Sequence, residues 1–428
     1  MSWTTRRLDV PPEPLRLASA LARRPGVVVL WVDEGRTAFV GSDPIALSTA
    51  LDPEPELALT PSRAEGSVPR WVGLVPYEAC RRLEPDVDSD PRAPALVQEP
   101  LWLRYAALAR ITDRVEIVGE DARAVRALAR RLLTPPEGAP VRARLRSPLE
   151  PESEHVRRIE RALDEISRGT IYEVNLARRL TLEVDAPPWS LLGELAGDTM
   201  PPHAFALRFE DLDVCAASPE LCLRLDPPGK LTTSPIKGTR PRRSNAEADA
   251  ALARELDEDP KERAELTMII DVERNDLGRV AVTGSVRLTR PPHVVSLSSV
   301  HHRLATIEAE LRPGFTRSRL LTEFLPSGSV TGAPKRRAMQ LIRELEPHRR
   351  GLYTGVVGCV RHDGGLELSM AIRTLVARNG VGHYFTGGGI VADSVPAREV
   401  EETVWKAERI LALAGARPRG ESVENFPE

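Results

Sequence analysis

Lysines are the first candidates for chemistry in this sequence, because the chain uses arginine almost everywhere else that a cation is needed. Lysine and arginine together number 59, and only five of these residues are lysine. Arginine stays protonated, whereas a buried lysine can lose its proton and act as a nucleophile or base. Lys237 lies in Ser-Pro-Ile-Lys-Gly-Thr, between an apolar residue and a glycine. A dry site there would lower its pKa, so the pattern predicts a reactive amine.

Two glutamates lie on predicted helices. Glu265 has apolar residues three, four and seven positions later, on its own helix face. A carboxylate on an apolar face needs a cation, hydrogen-bond donors or a raised pKa, and an arginine ion pair would serve equally well. Glu402 precedes Lys406 by one turn, which is usually the spacing of a surface ion pair. Two helix-borne glutamates from distant segments would also suit Mg²⁺, which binds a few carboxylates, water and a chelating substrate oxygen.

Two glycine-rich segments invite comparison with ligand-binding loops. Residues 326–335 read Pro-Ser-Gly-Ser-Val-Thr-Gly-Ala-Pro-Lys, but a nucleotide-hydrolysing loop needs lysine directly after its second glycine, followed by Ser or Thr. Nucleotide hydrolysis is therefore excluded, although the loop can still offer backbone N–H groups to an anion at a helix N-terminus. Residues 387–389 are three glycines after a predicted strand. They allow the backbone to approach a ligand closely, and a bulge or tight turn explains them equally well.

The elements that must position these residues are strands and helices in no βαβ order, which favours an α+β or mixed α/β fold. Acidic and proline-rich segments at 52–61 and 84–100 predict loops. Strands are predicted at 27–32, 37–41, 71–78, 204–207, 214–217 and 221–225, with a β-rich stretch over 352–392. Helices are predicted at 122–133, 152–167, 246–257, 262–275, 316–324, 335–346 and 397–414.

Composition and charge exclude several classes of protein. The 428 residues are 41% hydrophobic and 28% charged, with a formal net charge of −3 and a pI near 6.3. This balance is typical of a globular protein and argues against a nucleic-acid partner, because no strong positive field is present. The sequence shows neither a secretory signal nor an apolar run of membrane-spanning length, so we expect a cytoplasmic protein with no membrane partner. The four cysteines are scattered, which predicts reduced thiols.

Four segments carry a specific combined pattern: Pro-Ile-Lys-Gly-Thr, Glu-Leu-x-Met-Ile-x-Asp-x-x-Arg-Asn-Asp, Pro-x-Gly-Ser-Val-Thr-Gly-Ala-Pro-Lys and Glu-Glu-Thr-x-x-Lys-Ala. Together they closely resemble the chorismate-utilising family, which comprises anthranilate synthase and aminodeoxychorismate synthase large subunits, isochorismate synthases and salicylate synthases. The resemblance covers about residues 150–415 and, more loosely, Gly73 to Tyr77.

The resemblance implies an anthranilate synthase component I-like fold, α/β in the α+β sense, with two packed antiparallel sheets and flanking helices. Residues 1–145 would contribute strands to this shared fold, and residues 146–428 would form the chorismate-binding catalytic region. In some relatives the N-terminal region holds tryptophan, as a feedback inhibitor or as a buried structural ligand. The sequence leaves open whether this chain has such a tryptophan pocket.

The resemblance also implies roles for individual residues. Glu265 and Glu402 match the Mg²⁺ ligands that clamp the ring carboxylate of chorismate. Lys237 matches a nucleophile that adds at C2, Glu220 matches the general acid/base, and His302 matches a histidine near the departing C4 hydroxyl. The remaining matches are Gly238 and Thr239, which line the pocket, Tyr353 and Arg373, which hold the enolpyruvyl carboxylate, Gly387 and Gly389, which supply backbone donors, and Lys406, which lies near the metal and ring carboxylate.

Within the family the lysine at position 237 discriminates between activities. Anthranilate synthases usually have alanine there, whereas aminodeoxychorismate synthases have lysine. The closest resemblance is therefore to aminodeoxychorismate synthase component I, which converts chorismate and ammonia to 4-amino-4-deoxychorismate for p-aminobenzoate and folate. No Gly-x-Cys-x-Gly elbow surrounds a cysteine, so we expect a separate glutamine amidotransferase subunit to supply the ammonia. The alternatives are anthranilate synthase component I and isochorismate or salicylate synthase, the last two with water as nucleophile.

Two positions depart from the family pattern. Glu173 stands where relatives commonly have glutamine, and the sequence gives it no role. Ala305 stands where serine is commoner, which leaves one contact lining the pocket unassigned.

Overall fold

The computed structural model describes residues 3–60, 66–81, 90–136, 140–243, 245–296 and 300–416. In this part of the chain, two antiparallel sheets of twelve and ten strands carry helices on their outer faces. The strands are β1 Thr4–Leu8, β2 Val27–Val32, β3 Thr37–Gly41, β4 Ala46–Ser48, β5 Pro69–Val75, β6 Leu101–Arg104, β7 Ala107–Ile111, β8 Val115–Gly119, β9 Arg142–Ser147, β10 Glu173–Asp185, β11 His203–Phe209, β12 Leu212–Ser218, β13 Leu221–Asp226, β14 Lys230–Ser234, β15 Ile236–Pro241, β16 Arg287–Ser296, β17 Val300–Glu310, β18 Gly332–Ala333, β19 Val356–Arg361, β20 Leu366–Met370, β21 Thr374–Arg378 and β22 Val381–Ile390.

The helices lie mainly in the second half of the chain. They are α1 Pro14–Ser19, α2 Tyr77–Arg81, α3 Ala122–Leu132, α4 Glu152–Ser167, α5 Pro188–Ala196, α6 Ala246–Glu258, α7 Pro260–Val280, α8 Arg317–Phe324, α9 Lys335–Leu345, α10 Pro396–Lys406 and α11 Glu408–Leu413, with a 3₁₀ turn at Gly328–Val330. Within the described ranges no helix is long and apolar enough to cross a membrane.

Strands from early and late parts of the chain are interleaved in both sheets. The first sheet runs β1-β8-β7-β3-β2-β11-β12-β21-β22-β10-β18, with β9 also paired to β10. The second runs β15-β17-β14-β13-β20-β19-β5-β6-β4, with β16 also paired to β17. The predicted pair of packed antiparallel sheets with flanking helices is therefore confirmed.

The apolar strand β2 shows why the sheets pack as they do. Its side chains alternate between two faces, as in any strand. Val28 and Leu30 pack in one buried cluster with Val72 and Leu74 of β5, which belongs to the other sheet. The opposite face of β2 packs under the helices α1, α3 and α5. Burial on both faces explains why the strand reads as a continuous hydrophobic run.

Most of the predicted helices are observed within a few residues of their expected bounds, and α4 matches its prediction at both ends. Helix α7 begins earlier than predicted, because the Asp259 side chain accepts the N–H groups of Lys261 and Glu262 and Pro260 occupies the first turn. The helix predicted at 397–414 is instead two helices, separated by a tight turn at Ala407. The described parts of the two predicted loops contain no strand or helix, and positions 61 and 84–89 lie outside the described residues.

Candidate active site

The site begins with two neighbouring strands of the second sheet. β15 carries Lys237, Gly238 and Thr239, and it pairs with β17 so that Thr239 lies opposite His302. The register shifts between Lys237 and Thr239, and Gly238 has a φ of +78°. Only glycine adopts that backbone conformation easily, and the resulting bulge re-aims the side chains on either side of it.

Two further predicted residues lie where the chain crosses from one sheet to the other. Glu220 is placed between β12 and β13, and Arg373 is placed between β20 and β21. Such crossings bring the ends of strands from both sheets to one edge of the sandwich. Elements from distant parts of the sequence thereby contribute to one site.

Lys237 is paired with the glutamate to which the sequence gave no role. Its ammonium donates to Glu173 Oε1 of β10 at 2.9 Å, and the two side chains are 12% and 1% exposed. Burial lowers the pKa of Lys237, but the charges of Glu173, Glu265 and Glu220 outweigh burial and hold the pKa above its usual value. The prediction of a lowered pKa is wrong, because the site is dry but rich in carboxylates.

Gly389 lies beside this ion pair, and its lack of a side chain leaves room for both partners. A Cβ built on it would lie 2.4 Å from Glu173 Oε1 and 3.1 Å from Lys237 Nζ. Gly387, two residues earlier on β22, is equally restricted, since its Cβ would lie 2.5 Å from the Leu176 carbonyl and 2.9 Å from the Tyr353 hydroxyl. The lack of room for a side chain therefore explains why both positions are glycine. Their predicted role as backbone donors to substrate stays a prediction.

Glu220 is held by the glycine-rich segment at 326–335. The Ser329 hydroxyl donates to Glu220 Oε1 at 3.0 Å. Burial raises the pKa of Glu220 to about 7, and the bond from Ser329 and the charge of Lys237 oppose that rise. A carboxyl with a pKa near neutrality can give and take a proton at physiological pH, as a general acid/base must.

Two N–H groups of the same segment are taken by the chain's own carboxylates. The Gly328 N–H donates to Asp276 at 3.2 Å and the Ser329 N–H to Glu273 at 3.3 Å, and both carboxylates belong to α7. Lys335 forms an ion pair with Asp276 at 2.7 Å. Helix α9 begins after Pro334 with no side-chain cap on its first N–H groups, so the anion site expected at this helix N-terminus stays a prediction.

The two predicted metal ligands lie on α7 and α10, and the charges of Lys237 and Lys261 act on both. Glu265 accepts no hydrogen bond from the described residues, and Lys261, at 3.6 Å, is its ion-pair partner there. Burial raises the pKa of Glu265 to about 7, against the charges of Lys237 and Lys261. A buried carboxylate without donors gains from a nearby cation.

Glu402 is better supplied with cations than Glu265. Burial raises its pKa, but Lys406 at 2.5 Å, together with Lys261 and Lys237, outweighs burial and holds the pKa below its usual value. Within the described ranges no group of three or more His, Cys, Asp or Glu side chains is arranged to hold a metal ion. Two glutamates fit Mg²⁺, which is often held by one or two carboxylates with water and substrate completing its coordination.

His302 is a neutral imidazole with one nitrogen available. Its Nδ1 lies 3.0 Å from the Thr239 hydroxyl and 3.3 Å from the Gly238 carbonyl. Because a carbonyl only accepts, the contact with Gly238 places the proton on Nδ1. The buried Nε2 has no hydrogen-bond partner among the described residues. Burial lowers the pKa of His302 to about 3, with Arg373 and Lys406 adding to the effect, so Nε2 is left as an acceptor for a substrate hydroxyl.

Arg373 lies near enough to His302 for its charge to lower the pKa of that imidazole, and the Tyr353 hydroxyl lies beside Gly387 of β22. The Arg373 guanidinium has no hydrogen bond or ion pair with the described residues, and burial lowers its pKa. The Tyr353 ring stacks on Phe385 with ring centres 5.2 Å apart. An unpaired guanidinium in a dry site suits a carboxylate ligand, because planar bidentate pairing would supply the missing acceptor.

Lys406 links the metal-ligand candidates to β22, since its ammonium donates to the Gly387 carbonyl at 2.8 Å. Its charge also acts on His302 and Glu220. The structure therefore brings the predicted site residues to one region between the two sheets, α7 and α10.

Sequence reasoning missed Glu173 and Lys261. Lys261 lies one turn before Glu265, and that spacing was a usable signal. Ala305 is fully buried in the hydrophobic core. A separate surface cleft of about 860 Å³ beside α7 is lined by residues such as Met268 and Tyr172, and by none of the predicted site residues.

Comparison with known proteins identifies the family of the chain. A model of the family of chorismate binding enzymes matches residues 36–412. The chain belongs to this family. Anthranilate synthase component I from Streptococcus pneumoniae TIGR4 has the same fold, with a TM-score of 0.71 and 25% identity over 95% of this chain and 92% of that one. The anthranilate synthase component I-like fold is therefore confirmed.

Sequence relatives of this chorismate binding enzyme carry two different names. Anthranilate synthase component 1 of Thermus thermophilus is 43% identical over 277 residues, which cover 65% of this chain and 60% of the relative. Aminodeoxychorismate synthase component 1 of Klebsiella aerogenes is 42% identical over 243 residues, 57% of this chain and 54% of the relative. The matches thus span a little over half the length of these relatives, and their identities do not separate the two activities.

Proposed function

We propose that this chain is the chorismate-aminating component of an aminodeoxychorismate synthase. The observation that carries the proposal is the position of Lys237, whose amine lies among Glu173, Glu265 and Glu220 at the centre of the site. A lysine there can form a covalent bond to the substrate, which the alanine usual in anthranilate synthases cannot. The product would be 4-amino-4-deoxychorismate, made in the cytoplasm for p-aminobenzoate and folate.

Each residue has a task in this reaction. The Lys237 nitrogen bonds to C2 of chorismate while Glu220 gives its proton to the C4 hydroxyl, which leaves as water. Ammonia then bonds to C4, and the bond between C2 and Lys237 breaks. His302 Nε2 accepts from the C4 hydroxyl before it departs, and Arg373 and Tyr353 hold the enolpyruvyl carboxylate. Gly238 and Thr239 shape the wall that positions His302.

Glu265 and Glu402 would hold Mg²⁺, with Lys406 beside them. When bound, the ion neutralises the ring carboxylate of the substrate and orients the ring. The ammonia would come from a separate glutamine amidotransferase subunit. The names of the Thermus and Klebsiella relatives, both called component 1, support a second component.

A second candidate is anthranilate synthase component I. It is supported by the name of the Thermus relative, which is as similar to this chain, at 43% identity, as the Klebsiella relative at 42%. In that reaction ammonia attacks C2 directly, and Lys237 has no covalent role.

Intact-mass spectrometry separates the two candidates. The protein is mixed with chorismate and Mg²⁺ in the absence of ammonia, beside Lys237→Ala and the matched control Lys230→Ala, which removes a half-exposed surface lysine paired with Glu308. We expect wild type and Lys230→Ala to gain the mass of chorismate less water, with the adduct mapped to Lys237. If no adduct forms and anthranilate fluorescence appears once ammonium is added, the proposal is wrong and the second candidate stands.

A further inference from the structure

Glu173 is the feature of this site that the proposed reaction leaves unused. It replaces a glutamine common in relatives, lies on β10 and is 1% exposed. Its Oε1 accepts from Lys237 at 2.9 Å, while its Oε2 is buried without a hydrogen-bond partner among the described residues. A buried carboxylate oxygen left unpaired is costly, which points to a role in chemistry for this side chain.

Lys237 cannot attack carbon as an ammonium, because all its nitrogen electron pairs are then bonded. Four carboxylates face it: Glu173 from β10, Glu265 from α7, Glu220 between β12 and β13, and Glu402 from α10. Among the described residues, only Glu173 lies within 4.0 Å of the Lys237 ammonium as an ion-pair partner. Glu265 and Glu402 are assigned to the metal and Glu220 to the leaving hydroxyl. Glu173 is therefore the carboxylate placed to receive the lysine proton.

We propose that Glu173 is the general base that removes the proton from Lys237 before its nitrogen bonds to the substrate. This inference rests on the proposed covalent reaction. One proton passes from Lys237 Nζ to Glu173 Oε1, which leaves a neutral amine and a neutral carboxyl. The nitrogen lone pair then forms the bond to C2, both ring double bonds shift by one position, from C1=C2 to C1=C6 and from C5=C6 to C4=C5, and the C4–O bond breaks. The C4 hydroxyl takes its proton from Glu220 and leaves as water.

Burial favours the products of this transfer, because a dry environment penalises the charged forms of both an amine and a carboxylate. Cation binding at Glu265 and Glu402 would also offset two of the negative charges that keep Lys237 protonated. A glutamine at position 173 could hold the lysine in place, but it could not accept its proton.

The rate of adduct formation on Lys237, measured by quench and intact mass from about pH 6 to pH 9, tests this role. Wild type is expected to lose rate only above about pH 7, where Glu220 gives up its proton. Glu173→Gln should be slower than wild type at pH 7 by about 10²-fold, the lower end for a general base, and this ratio should shrink roughly tenfold per pH unit as solvent hydroxide replaces the base. Glu173→Asp, which retains a carboxylate, should keep the wild-type profile at a reduced rate. Glu183→Gln changes an exposed glutamate on the same strand and serves as the matched control.

The outcomes are distinguishable. If wild type forms the adduct and Glu173→Gln matches its rate and profile, Glu173 is not the base. If Glu173→Gln is slower by the same factor at every pH, its role is structural and the inference is wrong. If wild type itself forms no adduct, the covalent reaction fails and this inference fails with it. Thermal unfolding of each variant confirms that the rates refer to folded protein.

Discussion

Replacement of Gly389 by alanine should separate the geometry of the Glu173–Lys237 pair from the stability of the fold. The new Cβ would lie 2.4 Å from Glu173 Oε1, whereas ordinary contacts begin at 3.4 Å, so the carboxylate oxygen must move by about 1 Å. The Cβ would also lie 3.1 Å from Lys237 Nζ. A misplacement of about 1 Å in a reacting group can cost about 10²-fold in rate, so we expect adduct formation to slow by about that factor.

The same substitution should have little effect on stability. The atoms that must give way are the ends of two flexible side chains, and Gly389 does not have a positive φ. Alanine at a backbone-compatible glycine position usually changes the free energy of unfolding by less than about 1 kcal/mol. Gly388→Ala is the matched control, because its Cβ would meet Glu402 Oε1 only at 3.4 Å, within ordinary contact.

Adduct formation by intact mass and urea unfolding of the two variants provide the measurement. The reasoning is refuted if folded Gly389→Ala reacts at the wild-type rate, since displacement of the pair would then not matter. It is also refuted if Gly388→Ala slows the reaction equally, since the loss would then reflect a general disturbance of β22.

Two further predictions concern the segment at 326–335. Ser329→Ala removes a hydroxyl that lowers the pKa of Glu220, so the pKa of Glu220 should rise above about 7. The alkaline limb of the pH–rate profile, where the general acid loses its proton, should then move to higher pH. A limb that moves to lower pH would contradict this prediction. Lys335→Met leaves the buried Asp276 carboxylate unpaired and should lower the free energy of unfolding by about 3–5 kcal/mol in urea titrations. Lys230→Met, at an exposed pair, should cost no more than about 1 kcal/mol, and equal losses would refute the argument.

The helices and the two-sheet architecture could largely be predicted from the sequence. The period of α4 and the apolar run of β2 each follow from local rules, because a helix face and a doubly buried strand leave their own patterns. The division of the last predicted helix into α10 and α11 could not be predicted. The turn at Ala407 carries neither glycine nor proline, so no local breaker marks it.

The sequence predicted which residues belong to the candidate site, but it did not predict how their charges act on one another. Motif spacing identified Lys237 and Glu220, but it gave the wrong direction for the lysine pKa. That pKa depends on Glu173, which lies 64 residues earlier in the chain and reaches Lys237 only after β10 and β15 are brought together. In the segment at 326–335, carboxylates of α7 accept the N–H groups of Gly328 and Ser329, and glycine spacing did not predict this pairing because α7 is a separate element.

The sequence by itself determined the family and the fold class and supplied the residues of the candidate site, because local periodicity and motifs that need particular side chains are visible along the chain. Tertiary structure alone decided which charges face one another. It placed Glu173 against Lys237, left Glu265 and the Arg373 guanidinium without hydrogen-bond partners among the described residues, and made His302 neutral. The physical reason is that the pKa of a buried group is set by burial and by charges a few ångströms away in space, whatever their separation along the chain.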